Sequence, residues 1–234
     1  MRKRMSNPCT ATIEARDGHQ LQGYLAQPEG PAAAGLILLH EIFGITESMK
    51  KLAHEYASQG YRVIVPALFD RVAPNTVIPY EQPARGREIA EQCRLDHILM
   101  DIEAAARSVH DRPAAVIGFC WGGTYAYLAA CDLDISGAVS YYGTRIHEHL
   151  HKKPKHPVQF HFGEQDALVP ATVLQKIRNA NPCQSFYLYH EAGHAFANAA
   201  RNSFHAASAA TAYNRTLDFL VRLFDKAASK PPTH

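Results

Sequence analysis

Short apolar runs alternate along this chain with longer stretches whose apolar residues recur at helical spacing, and that alternation limits the fold more than any other feature. "GLILLH", "YRVIVP" and the "AVIGF" of "AAVIGF" are short and apolar and read as buried strands, and "ISGAVSYYG", "PVQFHFG" and "SFYLYHE" supply three more strands. Between them lie "ESMKKLAHEYASQG", a helix closed by Gly60, and a segment from Arg85 to His110 with Ile89, Cys93, Leu95, Leu99, Ile102 and Ala106 at helical spacing. Further helices are predicted after Cys120, over "ATVLQKIRN", and over "SAATAYNRTLDFLVRLFDK". Buried strands separated by helices imply a mostly parallel sheet flanked by helices on both faces. Only the start differs: in "TIEARDGHQLQGYLAQP" the "DG" between two alternating runs predicts an antiparallel hairpin. A loop carrying four prolines runs from Pro66 to about Pro83, and the "AASKPPTH" tail reads as disordered.

A chain of 234 residues, 47% hydrophobic and 20% charged, has globular composition. It can bury roughly 70 to 75% of its unfolded surface, which suits one domain spanning residues 1–234 with a short flexible N-terminus. Lys and Arg number 24 against 22 Asp and Glu, and neither "MRKR" nor "HKKPKH" is interleaved with aromatics, so both read as solvated and no nucleic-acid partner is expected. The N-terminus lacks the apolar core of a secretory signal and nowhere do eighteen apolar residues run together, so a cytoplasmic protein with no membrane association is expected. Five cysteines, Cys9, Cys93, Cys120, Cys131 and Cys183, form no CxxC pair, which argues against a disulfide framework and a zinc knuckle.

In a sheet of this kind, functional residues collect where strands end. Three strand ends carry reactive side chains: "GFC" ends at Cys120, "FHFGEQD" runs into Asp166, and "YLYHEAGH" runs into His194. "GFCWGG" has the form of a nucleophile elbow, with Gly118 and Gly122 two residues either side of the thiol. A cysteine there is expected to face solvent at a helix N-terminus, where the dipole favours thiolate and free N–H groups can bind an oxyanion. The chain order nucleophile, acid, histidine is that of elbow hydrolases.

Each residue also has a plain structural reading. Cysteine is among the most buried residue types, and Cys93, Cys131 and Cys183 are read as structural. A given histidine among fourteen can be a surface group, and Asp166 could cap the helix after Pro170. The glycine-framed turn and the chain order together favour catalysis.

Through "HEIFGI", "VPALFDR", "GFCWGG", "VSYYG", "HFGEQDALVP", "EAGHAFAN" and "NRTLDFL", from about Ala11 to Phe224, the chain resembles the dienelactone hydrolases, a cysteine-using branch of the α/β-hydrolase fold. The resemblance implies Cys120 as nucleophile, His194 as general base and acid, and Asp166 as the group that orients the imidazole. It further implies that Glu41 contacts the resting thiol and holds it neutral until substrate arrives. The oxyanion would be bound by the backbone N–H groups of Trp121 and Ile42. The implied substrates are small lactones or enol esters, cleaved through a thioester without cofactor or metal, by a monomer or weak homodimer.

The family's substrate carboxylate is held by arginines, and Arg71 in "ALFDR" matches one of them. The second is expected four residues after the histidine, where this chain has Asn198; Arg201 would reach the same face if the segment were helical. Two other readings stand beside this one: a broad carboxylesterase for small neutral esters, and a non-catalytic small-ligand-binding member of the fold. "HEIFG" carries only the first half of a zinc-binding HExxH, and a dehalogenase would need a carboxylate in place of Cys120.

Overall fold

The first hairpin turns where "DG" places it. In the computed structural model, which describes residues 9–109 and 114–228, strands β1 (Cys9–Glu14) and β2 (Gln20–Ala26) pair antiparallel in the register Ile13 opposite Leu21. Gly18 takes the left-handed conformation (φ 83°) that the tight turn requires. The flexible ends expected at residues 1–8 and 229–234, and the helix end expected at His110, lie outside the described residues. Ala227 and Ala228, at the start of the tail read as disordered, are instead the last residues of the C-terminal helix.

The chain forms two compact units, Met1–Ala114 and Ala115–His234. In the first, β3 (Ala34–Leu39) and β4 (Tyr61–Pro66) are parallel, and β2 joins β4 antiparallel, giving the order β1-β2-β4-β3. Every residue of β3 is buried, which is why it reads as a continuous apolar run. Helix α1 (Glu47–Ser58) starts at Thr46, whose hydroxyl accepts from the Met49 N–H, and buries Met49, Ala53, Tyr56 and Ala57 along one stripe.

The long helix predicted from Arg85 is two helices, α2 (Pro83–Gln92) and α3 (Leu95–Val109). Cys93 between them is extended (φ −73°, ψ 125°) and its thiol donates to the Ile89 carbonyl. Ile89 and Ile98 are buried on either side of the break, so the apolar rhythm persists while the backbone does not. Helix α2 lies so close to the chain after β3 that a Cβ on Gly86 would stand 2.1 Å from the Ile42 carbonyl oxygen.

The second unit is all parallel, β5 (Ala115–Phe119), β6 (Gly137–Tyr141), β7 (Val158–Gly163) and β8 (Ser185–Tyr189) in that order. Its helices are α4 (Trp121–Asp132), α5 (Ala171–Ala180) and α6 (Ala206–Ala228), with a 3-10 turn at Ile146–His149. Strands β5 to β7 are buried throughout, and α4 is buried on nearly every side, matching its apolar sequence. Under this sheet His161 donates from Nε2 to Gln159 Oε1 (2.9 Å) and accepts at Nδ1 from the Tyr189 hydroxyl (2.7 Å). Its burial pushes the imidazole pKa down to about 3. Among the described residues no helix is long and apolar enough to cross a membrane.

Candidate active site

Strand β5 ends in a sharp turn. Cys120 has φ 53° and ψ −116°, a backbone conformation that side-chain-bearing residues seldom adopt. The turn closes because Gly118 has no side chain: a Cβ there would lie 2.0 Å from the Gly122 carbonyl oxygen. Farther into α4, a Cβ on Gly123 would meet the Tyr141 oxygen at 2.8 Å. The Cys120 N–H donates to the Tyr141 carbonyl (2.9 Å), and the Ser140 hydroxyl donates to the Gly123 carbonyl (2.8 Å), so β6 holds the turn at two points. Cys120 is 8% exposed, buried rather than facing solvent as its place in the turn suggests. It makes no side-chain cap bond to α4, whose first turn begins at the Trp121 N–H.

Asp166 follows β7. Its carboxylate is buried, with Oδ2 accepting from His194 Nδ1 (2.8 Å) and Oδ1 accepting from the Leu168 N–H (2.9 Å). It is not a helix cap: α5 begins after Pro170, with no side-chain cap bond. The loops after β7 and β8 are in intimate contact. A Cβ on Gly163 would stand 2.2 Å from the Ala192 oxygen, and Gln165 N–H donates to that oxygen at 2.9 Å.

His194 lies in the loop after β8, between Glu191 (φ 59°) and Ala195 (φ 62°), both left-handed. The Ser203 hydroxyl donates to the His194 carbonyl at 2.5 Å, and the ring of Tyr142 meets the imidazole edge-to-face, centroids 5.1 Å apart. Nε2 is buried and makes no hydrogen bond of good geometry, though the Cys120 sulfur is near enough to bias its protonation. Burial opposes a charge on this ring, but the neighbouring Cys120 sulfur and the bond to Asp166 outweigh it and push the pKa up to about 10. An acid, an imidazole and a thiol thus come together from three strand ends of the second unit. The bond to Asp166 holds the imidazole at Nδ1 and leaves Nε2 as its other nitrogen.

The other residues singled out in the sequence occupy defined places. In the first unit, Glu41 is buried after β3, and Ile42 lies under the close approach of α2. His40, just before them, accepts at Nε2 from the Leu68 N–H (3.2 Å), so its proton is on Nδ1, which donates to the Glu41 carbonyl (2.6 Å). Burial pushes its pKa down to about 4. Arg71, expected to hold a substrate carboxylate, has both edges of its guanidinium taken. Nε and Nη2 donate to Asp101 (2.9 and 2.8 Å), and Nη1 and Nη2 to Asp17 (2.7 and 3.0 Å).

In the second unit, Asn198 is buried and its Oδ1 accepts from the Ala200 N–H (3.1 Å), closing a turn. The segment to Arg201 is a run of turns, so the helical spacing that would aim Arg201 back at the site is absent. Ser140 and Tyr142 enter the sequence reading only within "VSYYG", with no role attached, and Ser203 does not enter it. Each acts through a contact that only the folded chain creates. Among the described residues, no group of three or more His, Cys, Asp or Glu side chains could hold a metal ion.

The family model for the dienelactone hydrolase family matches residues 21–224. The chain is 35% identical over 229 residues to a carboxymethylenebutenolidase of Pseudomonas putida, covering 92% of this chain and 97% of that protein. It is 30% identical over 225 residues to the carboxymethylenebutenolidase of Pseudomonas sp. strain P51, covering 91% and 94%. Among solved structures, one from Klebsiella pneumoniae subsp. pneumoniae, described as a putative dienelactone hydrolase, superposes with a TM-score of 0.78 at 26% identity, covering 91% of this chain and 98% of that one.

Proposed function

The chain belongs to the dienelactone hydrolase family and has its α/β-hydrolase fold, and from that premise we propose that it cleaves small lactones and enol esters with Cys120 as nucleophile. The observation that carries this reading is the pairing of a thiol in a left-handed strand-to-helix turn with an imidazole whose far nitrogen is held by a buried carboxylate.

In the first half-reaction the Cys120 thiolate adds to the ester carbonyl, and the carbonyl electron pair moves to oxygen. The Trp121 N–H at the head of α4 stabilises that oxyanion. Collapse re-forms the carbonyl and expels the enolate or alkoxide, which takes the proton from His194 Nε2. In the second half, Nε2 accepts a proton from water as its oxygen adds to the thioester, and collapse releases the acid and the thiolate. Thiolate is itself a good leaving group, so the first intermediate goes forward only when the substrate's own leaving group is better. That favours enol esters and activated lactones over alkyl esters and amides.

A second reading, a broader esterase for small neutral substrates, is favoured by Arg71: its guanidinium is bonded to Asp17 and Asp101, and the position after the histidine holds Asn198. The test is dienelactone hydrolysis, followed by loss of substrate absorbance, for the wild type and Cys120→Ala, with the free acid and its methyl ester compared. Turnover lost in the variant supports the nucleophile. A preference for the acid supports the dienelactone reading, equal rates support the neutral-ester reading, and turnover kept by Cys120→Ala overturns both.

A further inference from the structure

Tyr142, the residue just past β6, is fully buried and left-handed, with φ 41°. A bulky aromatic residue rarely takes that conformation, and glycine takes it without strain. Gly143 stands next in the chain, yet the left-handed turn falls on the tyrosine. The strain is held in place: the Tyr142 N–H donates to the His161 carbonyl at 2.7 Å, and the ring packs against Phe196 (5.6 Å) and Phe119 (6.2 Å) as well as against His194 (5.1 Å).

His194 is tied to Asp166 by a single hydrogen bond at Nδ1. One such bond fixes a point on the imidazole and leaves the ring free to pivot about it, carrying Nε2 away from the sulfur. A second contact on the ring removes that freedom. We propose that Tyr142 is a positioning residue whose strained backbone sets its ring against His194, locking the imidazole plane so that Nε2 stays aimed at Cys120. The preceding residue, Tyr141, accepts the Cys120 N–H, so two consecutive residues at the end of β6 steady the nucleophile and the base. The inference rests on the Cys120, His194 and Asp166 reading.

The test compares Tyr142→Phe, Tyr142→Leu and Tyr142→Gly for melting temperature, for kcat and KM on p-nitrophenyl acetate, and for the pH dependence of Cys120 alkylation by iodoacetamide. Asp166 and Cys120 are the charged groups acting on His194 in that titration. Tyr142→Phe keeps the ring and is expected within twofold of wild type in every measure. Tyr142→Leu and Tyr142→Gly are expected to lose roughly three- to tenfold in kcat with KM unchanged, and to shift the alkylation profile. The glycine variant relieves the backbone, so its loss reports the ring alone. A folded Tyr142→Gly with kcat and profile unchanged overturns the proposal. So does a Tyr142→Phe as impaired as the leucine variant, or loss of folding in both ring-deleted variants, which would mark a packing role. If wild-type alkylation at Cys120 is indifferent to His194→Ala, the underlying triad reading fails, a different result from any of these.

Discussion

Asp166 divides its two oxygens, Oδ2 accepting from His194 Nδ1 at 2.8 Å and Oδ1 from the Leu168 N–H at 2.9 Å. Both partners are donors, so an amide cannot replace the carboxylate in either orientation. In Asp166→Asn the NH2 faces Leu168 N–H, or it faces His194 and forces the proton onto Nε2. The expected result is a fall in kcat on the order of 10³ to 10⁴ together with a lowered melting temperature, checked by steady-state kinetics beside a thermal melt.

His194 also gives the folded state an alkaline limit. Its folded pKa is raised to about 10 from an ordinary 6.5, so the stabilisation is fully present below pH 6.5 and is lost as pH rises through 10. Melting temperature should decline across that window in the wild type. The decline should flatten in Cys120→Ala, which removes the sulfur that supports the charged ring.

At the acid end the signs reverse. His40 and His161 are buried with folded pKa values of about 4 and about 3, so below pH 6.5 the unfolded chain takes up protons that the folded one refuses. Stability is expected to fall steadily from pH 6.5 to 4 in urea titrations, and His161→Gln should remove part of the slope.

Gly118→Ala tests the turn itself. The new methyl would meet the backbone of Gly122 at 2.0 Å, and backbone cannot swing aside as a side-chain tip can. Displacing the thiol by about 1 Å is expected to cost on the order of 100-fold in kcat/KM, measured on an activated ester with circular dichroism to confirm folding.

How far the sequence reaches is clear from where it succeeds. The buried strands, the hairpin at "DG" and the elbow are legible because each depends on local sequence: apolar runs, a glycine at a left-handed position, and small residues beside a thiol. Residues 83–109 show the limit. The spacing of Ile89, Leu95 and Ile102 continues through a break that depends on an extended Cys93, and periodicity records which residues are buried, not whether the helix is unbroken. Arg71 shows another limit, since its partners Asp17 and Asp101 are distant in the chain. Tyr142 lies in the quoted "VSYYG", but its role is not legible there for a third reason: it depends on a φ value no neighbour announces.

Arg71 braces the hairpin turn to α3. Burial raises the Asp101 pKa even with the arginine beside it, whereas the guanidinium holds Asp17 well below the usual carboxylate range. Asp101 is 1% exposed, so Arg71→Ala leaves a buried carboxylate without its partner and is expected to cost about 3 to 5 kcal/mol in urea denaturation. Arg71→Met with Asp101→Leu should recover most of that loss. The ratio of acid to methyl-ester turnover should stay the same in a folded variant.

Glu191 and Ala195 hold left-handed backbone on either side of His194, while Gly193 between them does not take that conformation. Strain of that kind is released wherever a loop can open without unravelling the strands beneath it. Warming should therefore disarm this molecule before it melts it: the imidazole swings out of line while the sheet is still whole, and returns on cooling.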